Sequence, residues 1–577
     1  MDQMGSPYLL AHGLGCPVKD AKTSFRAESG RYSVWARTKN WTAPWKGGGE
    51  GAGRFDIFVN GQRLSQTLGV QGDGEWLWVN AGEVDLTNVV ALRDLTGFDG
   101  RCDALVFVLA SEPIPDFDHL RAVGQGEVLP TRKEYDLVVV GGGIAGICAA
   151  VTASRLGLST ALVHDRPVLG GNNSSEVRVH LGAYQNLPPF PRLGDVLAEF
   201  APVKGGNARP AANYDDARKL EIVRAEPNLD LYLEEHVNGV DVVNGTISGV
   251  RSVHVRTGVR RHLRARLFAD CTGDGTVGFL AGAEFRQGRE SRGEHGESLA
   301  PETADQMTMG ASVQWYAITN GASAFPQKPW MLTFDERSAK PVLRGDWDWE
   351  TGLGRDQVKD AERIRDYGLL VVYSNWAYLK NGYSARDRFA EAELAWVAHV
   401  AGKRESRRLM GDFILTQREL DERKIQPDGT CVTTWTIDQH YPWPESHTGF
   451  SGEPFQAESR NRRIWPYPMP YRCFYSRNVR NLFMAGRDIS VTHIALGTTR
   501  LMRTHGMMGE VVGMAASICK AHDCNPRDVY AKHFGELKAL MEKGVGDGKA
   551  HPPQMYNIQT SLDPRFRDHK AGNYQVK

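Results

Sequence analysis

The stretch YDLVVVGGGIAGICAAVTASRLGLSTALVHD, which begins at Tyr135, constrains the fold more than any other part of the chain. An apolar strand (137–140) runs into a cluster of glycines, an alanine-rich helix follows, and a second apolar strand spans 160–163. Strand, helix and strand in this order are typical of a βαβ unit with a parallel sheet. The stretch therefore predicts an α/β domain built around such a sheet.

Gly141, Gly143 and Gly146 form the motif G-x-G-x-x-G between the first strand and the helix. The first glycine permits a tight turn, the second lets the backbone approach a pyrophosphate, and the third lets helix and strand pack closely. The N–H groups at the helix start, where Ile144 and Ala145 lie, are free to bind phosphate oxygens. In this strand–turn–helix context the motif predicts dinucleotide binding.

The second strand ends in an unusual residue for a dinucleotide-binding fold. Glu or Asp commonly lies there and binds the ribose hydroxyls, whereas this chain has His164 followed by Asp165. A histidine ring nitrogen can also hydrogen-bond a ribose. The sequence predicts a ribose contact for His164 or Asp165, and the alternative is that neither residue touches the nucleotide.

Charge and composition limit the partners. The 69 basic and 69 acidic residues balance, so a nucleic-acid partner is not expected. No apolar run reaches the roughly 18 residues of a membrane-spanning helix, and the N-terminus does not resemble a signal peptide. The eight cysteines lack a metal or disulfide spacing. We expect a cytoplasmic protein with reduced thiols, no metal and no membrane span, and a homo-oligomer stays an open alternative.

Residues 1–112 differ in character from the rest of the chain. Short runs that alternate or stay apolar, such as GRYSVWART, GRFDIFVN and CDALVFVLA, are separated by Gly, Asn and Asp. Asn60-Gly61 between two such runs predicts a β-hairpin. Short strands with these turns favour an all-β, sandwich-like accessory domain. The loss of periodicity over 113–133 predicts a linker.

Three later segments accompany the fingerprint. RPVLGGNNSSE (166–176) places a Gly-Gly-Asn turn shortly after the second strand, and LFADCTGDGTVG (267–278) ends a strand in a glycine-containing turn. NLFMAGRDIS (481–490) ends a strand at Gly486, and a long helix rich in small residues starts near Arg500. With the fingerprint, these segments resemble the bacterial FAD-dependent oxidoreductases, which are two-dinucleotide-binding-domain flavoproteins.

The resemblance extends over about residues 134–540 and implies FAD as the cofactor. It implies a Rossmann-like FAD-binding domain in two parts, 134–300 with a small β-meander and 471–545. A substrate domain at 301–470 would be interleaved between them, and an extended tail would follow at 546–577. The expected fold class is therefore α/β with an interleaved substrate domain and an N-terminal all-β sandwich-like domain.

The resemblance also implies a role for each segment. The fingerprint would bind the ADP half of FAD, the Gly-Arg-Asp segment the ribityl chain and pyrophosphate, and the last helix would point its N-terminus at the flavin. The residues expected to contact the cofactor are Gly141, Gly143, Ile144, Ala145, Gly146, His164, Asp165, Arg166, Gly170, Gly171, Asn172, Thr272, Gly273, Asp274, Gly486, Arg487, Asp488, Thr498 and Thr499.

A flavin enzyme needs a proton acceptor and positioning groups from the protein. His440 and His493 lie in irregular segments rich in Gly, Pro and Thr, where scaffolds commonly carry chemistry. The predicted catalytic residues are His440, His493 and Arg500, and the predicted substrate-binding residues are Arg178, His180, Asp438 and Tyr441. The alternative for each residue is a packed or ion-paired structural role.

We expect the substrate to be a small molecule. Several tryptophans in the middle region are candidates for stacking on sugars, with core packing as the alternative. The first hypothesis is oxidation of a secondary hydroxyl of a sugar or glycoside, by hydride transfer to flavin N5 with a His as general base. One alternative is reduction of an activated double bond in a carboxylate substrate held by arginines. Another is a glycan-binding protein with structural FAD, and the electron acceptor stays open.

Overall fold

The computed structural model describes residues 8–46, 50–86, 89–117, 127–130, 133–443, 450 and 452–551. Much of the predicted linker (118–126 and 131–132) and most of the predicted tail (552–577) lie outside these residues. In the described part, an all-β sandwich precedes a Rossmann-like α/β unit, and a mixed region is inserted between the strands of that unit. The predicted fold class is confirmed.

Two four-stranded antiparallel sheets form the N-terminal sandwich. Its strands are β1 (Leu9–His12), β2 (Ala21–Ser24), β3 (Gly30–Thr38), β4 (Phe55–Val59), β5 (Gln62–Leu68), β6 (Leu77–Leu86), β7 (Val89–Asp94) and β8 (Phe98–Leu109). The orders are β1-β8-β3-β6 and β2-β7-β4-β5, and apolar side chains such as Val34 and Phe55 share one core. The predicted hairpin joins β4 to β5 through Asn60 and Gly61, whose φ angles of +49° and +84° suit a type I′ turn.

A seven-stranded sheet forms the α/β unit. Its strands are β9 (Glu134–Val140), β10 (Thr160–His164), β11 (Leu229–Leu233), β12 (Glu235–Val243), β13 (Thr246–His254), β14 (Arg260–Asp270) and β26 (Leu482–Met484). The order is β11-β10-β9-β14-β13-β12, with β26 beside β14, and β12, β13 and β14 form an antiparallel meander. Strands β9, β14 and β26 run parallel and end in register at Val140, Asp270 and Met484. The turns that follow them therefore meet at one edge of the sheet, where open α/β folds bind ligands.

The α-helices of the described residues are α1 (Ala43–Lys46), α2 (Ile144–Arg155), α3 (Asp195–Phe200), α4 (Asp216–Ala225), α5 (Thr276–Leu280), α6 (Arg292–His295), α7 (Ala361–Asn381), α8 (Gln417–Glu422), α9 (His493–Thr499), α10 (Met502–Ala521), α11 (Pro526–Lys532) and α12 (Phe534–Lys543). Among them, none has both the length and the apolar character needed to cross a membrane. Helices α2 and α10 pack closely because α10 carries glycines at the crossing: a Cβ at Gly509 would lie 2.1 Å from the carbonyl oxygen of Ala145. Helix α10 thereby supports the start of α2.

The inserted region consists of short strands around the long helix α7. The strands are β15 (Phe285–Arg286), β16 (Ala311–Ser312), β17 (Trp315–Thr319), β18 (Arg344–Gly345), β19 (Ala392–Val397), β20 (Gly402–Lys403), β21 (Arg408–Leu409), β22 (Gly429–Thr433), β23 (Ile437–Pro442), β24 (Ala457–Arg462) and β25 (Tyr467–Pro470). Its apolar core continues into the sandwich, since Trp330 lies edge-on to Trp41 and Phe98. Trp315 and Trp376 are buried in the same core, so these tryptophans fill the interior and are not platforms for a sugar.

Candidate cofactor and active site

A cavity of about 300 Å³ lies at the sheet edge where β9, β14 and β26 end. Its lining contains most of the residues that the sequence predicted for the cofactor. These are Gly141, Gly143, Ile144, Ala145, His164, Asp165, Arg166, Gly170, Gly171, Asn172, Thr272, Gly273, Asp274, Gly486 and Arg487. The predicted contacts Gly146, Asp488, Thr498 and Thr499 are not part of this lining.

The fingerprint glycines differ in what surrounds them. Gly141 has φ +106°, and a Cβ there would lie 2.3 Å from the carbonyl oxygen of Cys271, so both the turn and the packing require glycine. A Cβ at Gly146 would lie 1.8 Å from the carbonyl oxygen of Gly141, which explains why Gly146 supports the cavity from behind. A Cβ at Gly143 would meet nothing closer than the Cα of Gly171 at 4.0 Å, so this side of the Gly143 backbone faces open space in the cavity.

His164 lines the cavity, but both of its ring nitrogens are occupied by the protein. Nδ1 lies 3.0 Å from the N–H of Gly142, which donates to it, and Nε2 lies 3.1 Å from the carbonyl oxygen of Val168. Burial lowers the pKa of His164 to about 4, so the ring is neutral and Nε2 carries the proton. The ribose contact predicted for His164 is thus replaced by a structural role in the glycine turn, and Asp165 is the remaining candidate.

Asp488 lies below the cavity floor rather than on its surface. Its neighbour Asp270 is already satisfied, because it accepts hydrogen bonds from Thr272 at 2.7 Å and from the N–H of Gly278 at 2.9 Å. Burial and the proximity of Asp270 raise the pKa of Asp488 well above its ordinary value. Asp488 is buried beside the turn at Gly486, and neither of its carboxyl oxygens has a hydrogen-bond partner among the described residues.

A positively charged wall closes the cavity on the side of the inserted region. Lys403 forms a 2.6 Å ion pair with Asp274, and Arg487 lies 3.6 Å from the other oxygen of that carboxylate. Asn172 donates a 3.1 Å hydrogen bond to the carbonyl oxygen of Lys403, which joins the Gly-Gly-Asn turn to this wall. Lys403 lies outside every motif, and sequence reasoning missed it.

Two further residues of this site were also missed. His505 lines the cavity from the first turn of α10, and burial lowers its pKa to about 3, so its ring is neutral. Lys219 is buried below the Gly-Gly-Asn turn and donates a 2.7 Å hydrogen bond to the carbonyl oxygen of Asn173. No local pattern marks either residue, because each reaches the site only through helix packing.

Several buried polar atoms along the cavity have no hydrogen-bond partner among the described residues. They are Nε2 of His505, Nε of Arg487, Nε of Arg500 and Oδ1 of Asp274. Because buried polar groups are normally hydrogen-bonded, these atoms mark places where a polar ligand binds. With the open backbone at Gly143 and the start of α2, this set of groups fits the phosphates, hydroxyls and polar ring of FAD.

Beyond the cavity, the predicted catalytic histidines form two carboxylate–histidine pairs. Nδ1 of His440 lies 2.5 Å from Oε2 of Glu350, and Nδ1 of His493 lies 2.9 Å from Oε1 of Glu405. Each carboxylate is anchored by a backbone N–H: Gly310 donates to Glu350 at 2.7 Å and Met309 donates to Glu405 at 2.8 Å. Two adjacent backbone amides therefore place two carboxylates that each orient a histidine.

The two pairs differ in exposure and partners. His493 is buried, and its Nε2 has no hydrogen-bond partner among the described residues. Nε2 of His440 lies 3.1 Å from Arg500 and 3.3 Å from Asp438, and about an eighth of its side chain is exposed. Arg500 also lines the cofactor cavity, so it links His440 to that cavity. Glu350, which sequence reasoning missed, completes this cluster.

The charges in the His440 cluster are well defined. Burial disfavours ionisation of Glu350, but the charge of Arg404 and the interaction with His440 outweigh it and lower the pKa of Glu350 to about 2. Burial is likewise outweighed at Asp438, where His440 and Arg500 lower the pKa below its ordinary value. Both carboxylates are therefore ionised at neutral pH, and the cluster combines two carboxylates with two guanidinium groups around one imidazole.

Several predicted residues have structural contacts instead. Arg178 stacks on Trp396 at 3.8 Å and donates to the carbonyl oxygen of Ser175. His180 lies 2.7 Å from the side-chain oxygen of Asn207. These contacts favour a role in loop structure for Arg178, whose predicted substrate contact finds no support in the geometry.

Tyr441 and the two threonines are also placed away from the expected positions. Tyr441 follows His440 in β23 and lies on the opposite face of the strand, below Arg289. Thr498 donates its hydroxyl to the carbonyl oxygen of Trp435 at 2.6 Å. Thr499 is buried next to it. The alternation of side chains along β23 determines the position of Tyr441, and the packing of α9 determines the positions of Thr498 and Thr499. A single sequence motif reveals neither.

Comparison with known proteins places this architecture in a family. The family model described as FAD dependent oxidoreductase matches residues 136–541, which is more than half of the chain. The chain belongs to this family. FAD is therefore its cofactor, the predicted enzyme class is confirmed, and the cavity at the sheet edge is where the residues fit that cofactor.

Individual relatives are more distant. Digeranylgeranylglycerophospholipid reductase 1 of Methanococcoides burtonii is 27% identical over 172 residues, which cover 26% of this chain and 41% of the relative. The 3-oxosteroid 1-dehydrogenase of Mycolicibacterium smegmatis is 52% identical over 44 residues, or 8% of each chain. The chain thus spans less than half the length of these curated relatives. A solved structure of a geranylgeranyl bacteriochlorophyll reductase-like protein from Thermoplasma acidophilum is 12% identical, covering 71% of this chain and 84% of that one, with a TM-score of 0.28.

Proposed function

We propose that this FAD-dependent oxidoreductase dehydrogenates a hydroxyl group of a small molecule, with His440 as the general base. The observation that carries the proposal is the Glu350–His440 pair next to Arg500, which lines the cofactor cavity. When bound, FAD accepts the hydride from the substrate carbon. The protein then has to supply a proton acceptor and to orient the hydroxyl.

His440 is built for the role of proton acceptor. The ionised carboxylate of Glu350 holds the proton on Nδ1, so Nε2 carries the lone pair. Arg500 donates toward this lone pair at 3.1 Å, and a substrate hydroxyl would take the place of that contact. When Nε2 takes up the hydroxyl proton, Glu350 stabilises the resulting imidazolium. General-base help of this type is worth roughly 10²–10⁴-fold in rate.

A polyhydroxylated substrate, such as a sugar or glycoside, suits the groups around His440. Asp438 accepts hydrogen bonds from Arg500 at 2.7 Å and from Ser459 at 2.6 Å, so a carboxylate and a guanidinium lie together near Nε2. Charged groups of this kind bind hydroxyls well. Trp347 is 38% exposed, and Arg404, which pairs with Glu350, lies 4.7 Å from the centre of its ring, so this aromatic side chain adjoins the cluster. These features support a secondary hydroxyl of a carbohydrate as the substrate group.

The substrate proposal is tested by anaerobic bleaching of the flavin. Purified holoenzyme is mixed with a panel of glycosides and free sugars, and the loss of flavin absorbance is recorded. We expect at least one member of the panel to bleach the flavin, and His440→Gln to slow that bleaching strongly. If no hydroxyl compound bleaches the flavin of the wild-type enzyme, the proposal is wrong.

The reverse reaction, reduction of an activated double bond, is the second candidate. The specific observation in its favour is the arginine at the junction of the two sites: Arg500 reaches both the cavity lining and His440, where a protonated imidazole could deliver a proton. One curated relative is named a reductase and another a dehydrogenase, so the names favour neither direction. Reoxidation of dithionite-reduced enzyme by unsaturated carboxylates, but not by keto-sugars, would support this candidate.

A further inference from the structure

His12 of the N-terminal sandwich is held between two acceptors at the boundary with the inserted region. Its Nδ1 lies 2.6 Å from Oδ1 of Asp99, which is fully buried, and its Nε2 lies 2.8 Å from the carbonyl oxygen of Val397. Tyr373 of α7 donates to the other oxygen of Asp99 at 2.9 Å. His12 thus connects the sandwich directly to the last residue of β19.

The contacts define the protonation state of His12. A carboxylate and a carbonyl oxygen only accept hydrogen bonds, so both ring nitrogens must carry a proton and the ring is an imidazolium. Burial acts against this charge, but Asp99 outweighs it and raises the pKa of His12. The other charged or titratable groups around the pair are Tyr373, Arg365, Arg101 and His399.

The segment that follows Val397 forms part of the cofactor cavity. Val400 and Ala401 line the cavity, and Lys403 pairs with Asp274 within it. Asn172 of the Gly-Gly-Asn turn donates to the carbonyl oxygen of Lys403. Only two residues separate the hydrogen-bonded carbonyl of Val397 from the first cavity-lining residue, so a shift at Val397 displaces the wall of the cavity.

We propose that His12 is a positioning residue for the FAD site, and that the sandwich holds the cavity wall at 400–403 through the Asp99–His12–Val397 contact. The accessory domain is then part of the cofactor-binding machinery, although none of the described residues that line the cavity comes from it. The proposal rests on FAD binding alone and is independent of the substrate.

The test measures release of FAD from the full-length holoenzyme, followed by the rise of free-flavin fluorescence after dilution. In His12→Gln, one side chain can no longer donate to both acceptors, and a hydrogen bond to a charged group is lost. We expect the dissociation constant for FAD to rise about tenfold, which corresponds to the usual strength of such a bond. Thermal unfolding of the same samples reports global stability.

Lys39→Gln is the matched control. Lys39 also lies at the boundary between the sandwich and α7 and pairs with Glu362 at 3.1 Å, but its contacts do not include the 397–403 segment. Its loss should lower the melting temperature without changing FAD release. If Lys39→Gln weakens FAD binding as much as His12→Gln, or if His12→Gln binds FAD like wild type, the proposal is wrong.

Two further measurements test the role of the Asp99–His12–Val397 contact in FAD binding if His12→Gln does not fold. Asp99→Asn keeps the shape and the Tyr373 contact but removes the charge, and it should also release FAD faster. In the wild type, the contribution of His12 is complete below its ordinary pKa of 6.5 and is lost as pH rises through the raised folded value. FAD release should therefore accelerate in that direction, and a flat profile above pH 6.5 together with normal release in Asp99→Asn would overturn the proposal.

Discussion

The FAD cavity and the His440 cluster lie side by side but arise in different ways. The cavity is formed by turns that follow three parallel strands ending in register at Val140, Asp270 and Met484. The His440 cluster is assembled from residues of the inserted region that lie far apart in the chain, such as Gly310 and Glu350, together with Arg500. A site formed by backbone turns can be predicted from local glycine motifs in the sequence. A site formed by side chains from distant segments cannot be predicted in this way.

The two sites also differ in electrostatics. In the cavity lining, burial lowers the pKa values of His164 and His505, so both rings are neutral. The His440 cluster keeps Glu350 ionised although it is buried. The first arrangement suits a large cofactor that brings its own charge, and the second suits proton transfer at a single nitrogen.

The largest expected effect is a loss of turnover without a loss of bound FAD. His440→Gln should lower kcat by roughly 10²–10⁴-fold, because the general base is lost, while flavin content stays unchanged. Steady-state kinetics and the flavin-to-protein ratio measure the two quantities. Tyr441→Phe is the control, since Tyr441 lies on the opposite face of β23 and should leave kcat near the wild-type value. A comparable loss of flavin in His440→Gln would contradict the separation of the two sites.

Gly146→Ala should damage the cavity without touching its surface. The added methyl group would lie 1.8 Å from the carbonyl oxygen of Gly141, and we expect a loss of about 3 kcal/mol in the free energy of unfolding together with loss of bound FAD. Denaturant unfolding and flavin absorbance provide the measurements. Gly535→Ala is the matched control, because a Cβ at Gly535 meets nothing within 4 Å. Normal flavin content in Gly146→Ala would show that the close packing of α2 on the turn is not required.

Glu510→Gln tests the support of the cavity by α10. Burial raises the pKa of Glu510 to about 8, although its carboxylate accepts hydrogen bonds from the N–H groups of Gly194 and Leu197. The folded protein therefore binds one proton more than the unfolded chain between about pH 4.5 and pH 8, and wild-type stability falls as pH rises through this range.

The glutamine variant should lack this fall, which we expect to be about 3–4 kcal/mol between pH 5 and pH 8 in the wild type. Denaturant unfolding at about pH 5 and pH 8 measures it. Glu542→Gln, an exposed position on α12, should behave like wild type and is the control. Equal pH dependence in Glu510→Gln and wild type would mean that Glu510 is not the group that titrates.

The smallest expected effect concerns the contact between the Gly-Gly-Asn turn and the charged wall. Asn172→Ala removes the hydrogen bond to the carbonyl oxygen of Lys403, so the flavin absorbance spectrum should shift while FAD stays bound. Asn228→Ala is the control, because Asn228 bonds to Ser154 and is not among the cavity-lining residues. Unchanged absorbance and turnover in Asn172→Ala would remove Asn172 from the list of flavin contacts.

The amino-acid sequence determined the Rossmann-like unit, the FAD-dependent class and the turns that line the cavity. Each depends on backbone geometry that local patterns encode: Gly141 needs a positive φ, and Gly146 needs the absence of a Cβ. The apolar strands that precede the turns can also be predicted from the sequence, because a strand that is buried on both faces consists of consecutive apolar residues.

Only the tertiary structure decided which side chains meet. Glu350 and Lys403 carry no local signal, and they reach His440 and Asp274 because the inserted region folds back on the sheet edge. The tertiary structure also places both ring nitrogens of His164 against backbone groups of Gly142 and Val168. The residue at the position that usually binds the ribose therefore stabilises the glycine turn instead. Backbone conformation is a property of short segments, whereas a side-chain contact depends on where distant segments pack.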